Sequence, residues 1–274
     1  FIGMGKQMGG HVGTFLGREQ CQVVAVCDVE SRRLEKFKTR VDEYYAQKTG
    51  QGSYSGCAAY ADYRELIARE DIDAVVIATP EHWHALQVVD AANAGKDIYC
   101  EKPLSHTIHE ARAMAKAVRR NGVVFQTGSQ QRSDREFRVA CELVRNGRIG
   151  KVHTVHVNVG GPPVDCYLPA QPTPETLDWD LWLGPAPMRP YNEDIAPPME
   201  FGGWPNWRAY RDYSGGMMTD WGAHHFDIAQ WGLGMDESGP VEIYPPDDTH
   251  ERLTYVYANG VVMEHGGGSG GKAG

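Results

Sequence analysis

The 274-residue chain predicts an α/β protein in two parts: a doubly wound parallel sheet over residues 1–125, and a second domain over 126–274 built on antiparallel strands. Three observations carry this. Strand-like apolar runs alternate with helix-like segments as far as residue 127. A glycine-rich turn separates the first strand from the first helix. From residue 153 the apolar pattern switches to strict alternation, as in strands with one face exposed.

The elements follow in order. Phe1-Ile2 is the end of a first strand, leading through Gly3-x-Gly5 to an amphipathic helix that stops near Gly17. Residues 23–28 form the next strand and end in Asp28; residues 31–46 read as a charged helix and 47–57 as a loop. Residues 74–78 form an unbroken apolar run, expected of a parallel strand covered on both faces. A helix over 84–94 stops at Gly95, and residues 98–100 form a short buried strand that delivers Glu101-Lys102-Pro103 at its carboxyl end. Thr107-x-x-Glu110 is a capping box for a helix running to Asn121-Gly122, before a strand over 123–127. In the second part, residues 153–159 alternate with Val155, Val157 and Val159 on one face. Residues 253–258 and 261–264 form a hairpin joined by Asn259-Gly260 in a type I′ turn.

Composition narrows the function. A formal net charge of −9 argues against nucleic acid and anionic membrane surfaces as partners, and no apolar run reaches membrane-spanning length. The six cysteines contain no C-x-x-C pair, which argues against a zinc or disulfide framework. Eleven of the 16 prolines and four of the seven tryptophans fall in the irregular stretch 162–207, so it reads as a binding loop or as a loop glued onto the core by its indoles. Trp207, Arg208 and Tyr213 in and just after it are candidates for substrate binding. The chain opens two residues before its glycine motif and ends in a glycine-rich tail over 266–274, which reads as a fragment of a longer protein.

The candidate chemistry lies at strand ends and on one helix. Gly3 permits a tight turn, and Gly5 lets the backbone approach a pyrophosphate at a helix N-terminus; Met8 takes the place of the usual third glycine and Gly9 follows it. Asp28 is placed to accept hydrogen bonds from an adenosine ribose and to repel a 2′-phosphate, which favours NAD; Arg32 and Arg33 close behind keep NADP open. Thr79-Pro80-Glu81-His82-Trp83-His84 and Glu101-Lys102 sit at the carboxyl ends of two further strands, where open α/β sheets bind ligands. Thr79, Pro80, His82, His84, Glu101 and Lys102 are therefore assigned to the cofactor side. His82 and His84 lack an evident third ligand, so no metal is expected. Beyond the flexible Gly215-Gly216, helical spacing puts Asp220, His224, Asp227 and Trp231 on one side of a helix, and Gly222, Phe226, Ala229 and Leu233 on the other. A carboxylate four residues from an imidazole suits a general base near neutral pH. Lys102 is then the positive group for a reacting oxygen, and a nicotinamide-dependent oxidoreductase of a hydroxylated small molecule is the expected activity.

These motifs together resemble the Gfo/Idh/MocA oxidoreductases: Gly3-x-Gly5, Thr79-Pro80-x-x-x-His84, Glu101-Lys102-Pro103 and Gly215-Gly216-x-x-x-Asp220-x-x-x-His224-x-x-Asp227. The resemblance implies an N-terminal Rossmann domain and a C-terminal α+β domain with a large, mostly antiparallel sheet through which members form homo-oligomers. It implies that Lys102 contacts the substrate oxygen and nicotinamide, that Asp220 orients substrate and base, and that His224 is the base. Substrates would be sugars, cyclitols or their derivatives, with NAD or NADP. It also admits a glycoside hydrolase that uses NAD transiently and, as a third reading, a non-catalytic dinucleotide-binding protein. The Trp221-Gly-Ala-His-His225 variant resembles subgroups exported in folded form, so the compartment stays open.

Overall fold

The computed structural model describes residues 1–266. The chain divides into two compact units: Phe1–Gly128 with Val164–Ser214, and Ser129–Pro163 with Gly215 onward. The first unit thus takes up two stretches of the chain, one on either side of residues 129–163. Residues 164–214 gather a small apolar cluster of their own around Leu183, Ile195 and Tyr213, and they group with the first unit.

In that first unit, α1 (Met8–Leu16) precedes β1 (Ala25–Cys27), α2 (Ser31–Thr49), β2 (Ala58–Tyr60) and α3 (Tyr63–Ile67). Then come β3 (Ala74–Ile77), α4 (Glu81–Asn93), β4 (Asp97–Cys100), α5 (Ile108–Asn121) and β5 (Phe125–Thr127). Every strand pair is parallel. Ile2 bridges both Cys27 and Ile77, so the first two residues complete the sheet in the order β2, β1, Ile2, β3, β4, β5. That is the order typical of dinucleotide-binding sheets, with the reversal between Ile2 and β3. Successive residues of a strand feed opposite faces: Val75 and Ile77 join one buried cluster with Val88, Ile98 and Met114, while Val76 joins another with Met8, Val12 and Val41.

Helix ends follow local chemistry. Thr107 and Glu110 form the expected capping box, and Gly50 and Gly122 close α2 and α5 in the left-handed region. Helix α4 begins at Glu81, three residues earlier than expected, because Pro80 occupies its N-cap and pre-sets the entry. Glu81, His82 and His84 thus lie buried on its first turns. The loop expected from 47 starts later, since α2 continues to Thr49.

The intervening segment carries α7 (Trp179–Leu183) and packs through aromatic contacts, its indoles adding apolar area. Trp179 stacks on Trp182 at 4.9 Å, and its Nε1 donates to the Arg189 carbonyl at 2.8 Å. Trp179, Trp182 and Trp207 all pack against the cluster of Leu183, Ile195 and Tyr213. The indoles therefore act chiefly as glue, and Trp204 is the exposed one of the four.

The second unit contains α6 (Arg135–Arg145), β6 (Thr154–Val157), α8 (Gly216–Asp220), α9 (Gly222–Gly232), β7 (Glu242–Tyr244), β8 (Thr254–Val256) and β9 (Val262–His265). Its sheet runs β6-β9-β8-β7, antiparallel except that β6 pairs parallel with β9. Val157, Val159, Tyr257, Val261 and Met263 form its core, against which Val155 and the expected inner face of α9 (Phe226, Ala229, Leu233) pack. The β8–β9 hairpin is present, but its turn is not type I′. Only Gly260 has positive φ (83°), and a type I′ turn needs it at both central residues. Tyr257 instead accepts from the Gly260 N–H at 2.9 Å, giving a longer loop with glycine in the left-handed position. All six cysteines are free thiols, and no described helix is long and apolar enough to cross a membrane. The tail from residue 267 lies outside the described residues.

Candidate active site

In the first unit the candidate residues converge on the carboxyl ends of Ile2, β1, β3 and β4. Gly3 has φ 86°, and a Cβ there would lie 2.8 Å from the Thr79 backbone nitrogen. The glycine turn and the end of β3 therefore touch backbone to backbone. Gly5, Gly9 and Gly10 are different: an added Cβ at any of them meets nothing within 4 Å. No side chain caps α1, so the positive end of its dipole faces this bare surface. Met8 is wholly buried and serves the core rather than the surface.

Asp28 is half-buried at the end of β1. Its Oδ2 accepts from the Met4 N–H at 2.5 Å and its Oδ1 from the Glu30 N–H at 2.8 Å. Burial pushes its carboxyl up to about 6, against the pull of those two donors. Arg32 and Arg33 both point into the segment 197–200, Arg32 pairing with Glu200 and Arg33 donating to the Pro197 carbonyl at 3.1 Å.

Glu101 ties the glycine helix to the strand that carries Lys102. Its buried carboxylate receives His11 Nε2 at 2.7 Å, Gln7 Nε2 at 3.1 Å and the Lys102 N–H at 3.2 Å. Burial raises its pKa, but the His11 and Gln7 hydrogen bonds outweigh it and hold the carboxyl below its usual range. A Cβ on Gly128 would meet Glu101 Cδ at 2.9 Å, so the end of β5 packs directly on this carboxylate. His11 and Gln7 were missed from the sequence; their one signal was i, i+4 spacing on a helix that opens at the glycine motif.

His84 joins two strand ends, with Nδ1 2.8 Å from the Pro103 carbonyl and Nε2 2.9 Å from the Thr79 carbonyl. A neutral ring donates to only one of them at a time, and burial, which lowers the His84 pKa, opposes the cation that would serve both. Thr79 Oγ1 donates to Gln87 Oε1 at 2.7 Å, which holds the same loop. His82 Nε2 donates to the Trp182 carbonyl at 3.2 Å, and burial pushes its pKa down to about 3, so the ring stays neutral. Lys102 is half-buried just beyond Glu101. Of the remaining candidates, Tyr213 is a fully buried core residue, Trp207 is half-buried beside it, and Arg208 lies 5.3 Å from the Trp204 ring.

The second unit holds Asp220 at the end of α8 and His224 in α9, both buried. Trp221 separates the two helices, yet keeps right-handed helical dihedrals and accepts from the His224 N–H at 3.0 Å. Gly216 (φ 72°) lets this stretch pass against Pro163, whose nitrogen would lie 2.5 Å from an added Cβ. Asp227 parts from the polar stripe expected of it. It takes a bidentate pair from Arg132 at 2.7 and 2.8 Å, and Arg132 also bonds Asp236 and covers the Trp231 ring. Asp227 is thereby a structural anchor between the 3-10 turn at Gln130–Ser133, just before α6, and α9.

Comparison with known proteins identifies the family. Residues 1–129 match an oxidoreductase family with an NAD-binding Rossmann fold, and residues 164–269 match the α/β C-terminal domain of the same family. An uncharacterised oxidoreductase of Bacillus subtilis, YrbE, is 26% identical over 262 residues, covering 96% of this chain and 56% of that protein. The myo-inositol 2-dehydrogenase of Thermotoga maritima is 30% identical over 167 residues, 60% of this chain and 46% of that protein. The crystal structure of myo-inositol 2-dehydrogenase from Lactobacillus plantarum superposes with a TM-score of 0.62 at 22% identity, over 96% of this chain and 67% of that one. The chain thus spans about half the length of the curated relatives it matches. The nicotinamide dinucleotide expected from the glycine motif is the family's cofactor class. With a match to each of its two domain models, the chain belongs to the Gfo/Idh/MocA family of oxidoreductases.

Proposed function

We propose that this chain belongs to a nicotinamide-dependent oxidoreductase that acts on a hydroxyl-bearing carbon of a sugar, cyclitol or sugar derivative. The observation that carries the reading is the bare glycine face beside a buried Glu101 that binds both α1 and the Lys102 backbone. Gly5, Gly9 and Gly10 leave backbone exposed where a pyrophosphate needs close approach, and Asp28 offers carboxylate oxygens at the ribose end. The dinucleotide, when bound, supplies or accepts the hydride.

The chain's own residues handle the proton and the charge. Oxidation of a carbinol removes the hydroxyl proton, and negative charge grows on the oxygen as the C–H bond breaks. His224 is proposed to take that proton, Asp220 to orient substrate and base, and Lys102 to stabilise the oxygen. A general base contributes ~10²–10⁴-fold in rate and a single electrostatic stabiliser ~10²–10³-fold. In the reverse direction His224 returns the proton and Lys102 polarises the carbonyl.

The test is a panel of cyclitols, aldoses and glycosides offered with NAD and NADP and followed by the absorbance of the reduced nicotinamide. Turnover of a cyclitol or aldose with stoichiometric reduced cofactor supports the reading. Cleavage of a glycoside without net reduction would replace it with transient-oxidation hydrolysis.

A further inference from the structure

Segment 164–214 crosses the first unit next to Asp28. Leu177 bridges Glu30, the Ser31 N–H donates to the Thr176 carbonyl at 2.9 Å, and the Asp178 N–H donates to the Val29 carbonyl at 3.0 Å. The same segment returns through residues 197–204. There the Pro197 carbonyl accepts from Arg33, Glu200 pairs with Arg32, and the Gly202 carbonyl accepts from Lys6 Nζ at 2.8 Å. Lys6 also lies 5.1 Å from the Trp204 ring. Each of the three cations closest in sequence to the glycine turn and Asp28 thus meets this segment.

NADP differs from NAD by a 2′-phosphate on the adenosine ribose. Accepting it requires a cation beyond the ribose, commonly an arginine near the acidic residue. Arg32 is such an arginine, and its guanidinium is neutralised by a carboxylate from 168 residues away. Resting on the dinucleotide reading above, we propose that Glu200 is a cofactor-specificity residue. It withholds Arg32 from a 2′-phosphate and adds a second negative charge to that of Asp28. The two side chains are 46% and 60% exposed, so the pair is screened by water, and its influence on binding is about two- to fivefold. Arg33 donates to the Pro197 carbonyl and stands as a second guanidinium near Asp28, so the discrimination is graded and not absolute.

The experiment is calorimetric titration of NAD and NADP into the whole chain carrying Glu200→Gln, Arg32→Ala, or both. Glu200→Gln keeps the shape and removes the charge. It should tighten NADP about two- to fivefold while leaving NAD unchanged, and the gain should vanish when Arg32 is alanine. An unmoved NADP affinity, an equal shift for both dinucleotides, or a gain that survives Arg32→Ala would overturn the role given to Glu200. Failure of the unsubstituted chain to bind either dinucleotide would instead overturn the underlying reading, and this inference with it.

Discussion

Two glycine-rich stretches mark the two units, and their glycines answer to different neighbours. Around residues 3–10, Gly3 alone is demanded by the protein's own packing, against the Thr79 backbone; Gly5, Gly9 and Gly10 face open space. Around residues 215–222 the space is filled: Gly215 lies against Thr219, Gly216 against Pro163 and Gly222 against Phe226, while Gly160 on the neighbouring strand end lies against Met217. A glycine whose missing side chain would strike the protein serves the scaffold. One whose missing side chain would strike nothing leaves backbone available to something from outside. In sequence the two kinds are indistinguishable.

The largest effects should come from the proposed catalytic residues that each stretch supports. Lys102→Ala and His224→Ala should each lower turnover by at least ~10²-fold, while calorimetry shows NAD affinity within a few-fold of the unsubstituted chain. If His224→Ala weakens NAD as much as it slows turnover, the division of labour between the stretches is wrong. Next in size is Gly216→Ala, which combines a left-handed φ of 72° with an approach of 2.5 Å to the Pro163 nitrogen. It should cost a few kcal/mol, lowering Tm by roughly 2–4 °C for each. Gly9→Ala should do the opposite for stability, since alanine in a helix is worth up to ~1 kcal/mol over glycine. Matching Tm losses in the two variants would erase the contrast.

A smaller effect concerns pH. Asp28 carries a carboxyl raised to about 6 by burial, so it is ionised above that pH and takes a proton below it. Its repulsion of a 2′-phosphate is therefore complete above about pH 7 and lost as the pH falls through 6. The preference for NAD over NADP should narrow several-fold across that window. Phosphate monoesters also lose charge near pH 6, so Asp28→Asn is the control: it should flatten the profile. An unchanged slope in that variant would take Asp28 out of the discrimination.

Much of the first unit was legible because its determinants are local. The capping box at Thr107 and Glu110, the left-handed Gly122 and the apolar run of β3 need only near neighbours in sequence. The alternation of Val155, Val157 and Val159 likewise disclosed the inner face of β6. What stayed hidden depends on partners far along the chain. His11 meets Glu101 across 90 residues, and Glu200 meets Arg32 across 168. The attachment of residues 164–214 to the first unit rests largely on backbone groups at Thr176, Asp178 and Trp182, which any sequence supplies. Strand β7 has only three residues, two of them exposed, and shows no alternation to read. Asp227 looked like a member of a polar stripe because spacing shows a helix face but not the Arg132 that occupies it.

The most direct test is to measure NAD affinity and Tm together on Gly5→Ala. Gly5 has no positive φ, and its Cβ would meet nothing within 4 Å, so alanine fits the protein as it stands. If the bare face is kept for a pyrophosphate, Tm will hold or rise while NAD binding weakens about tenfold or more. A fall in Tm with NAD affinity unchanged would contradict it, and would return the glycine loop to the scaffold.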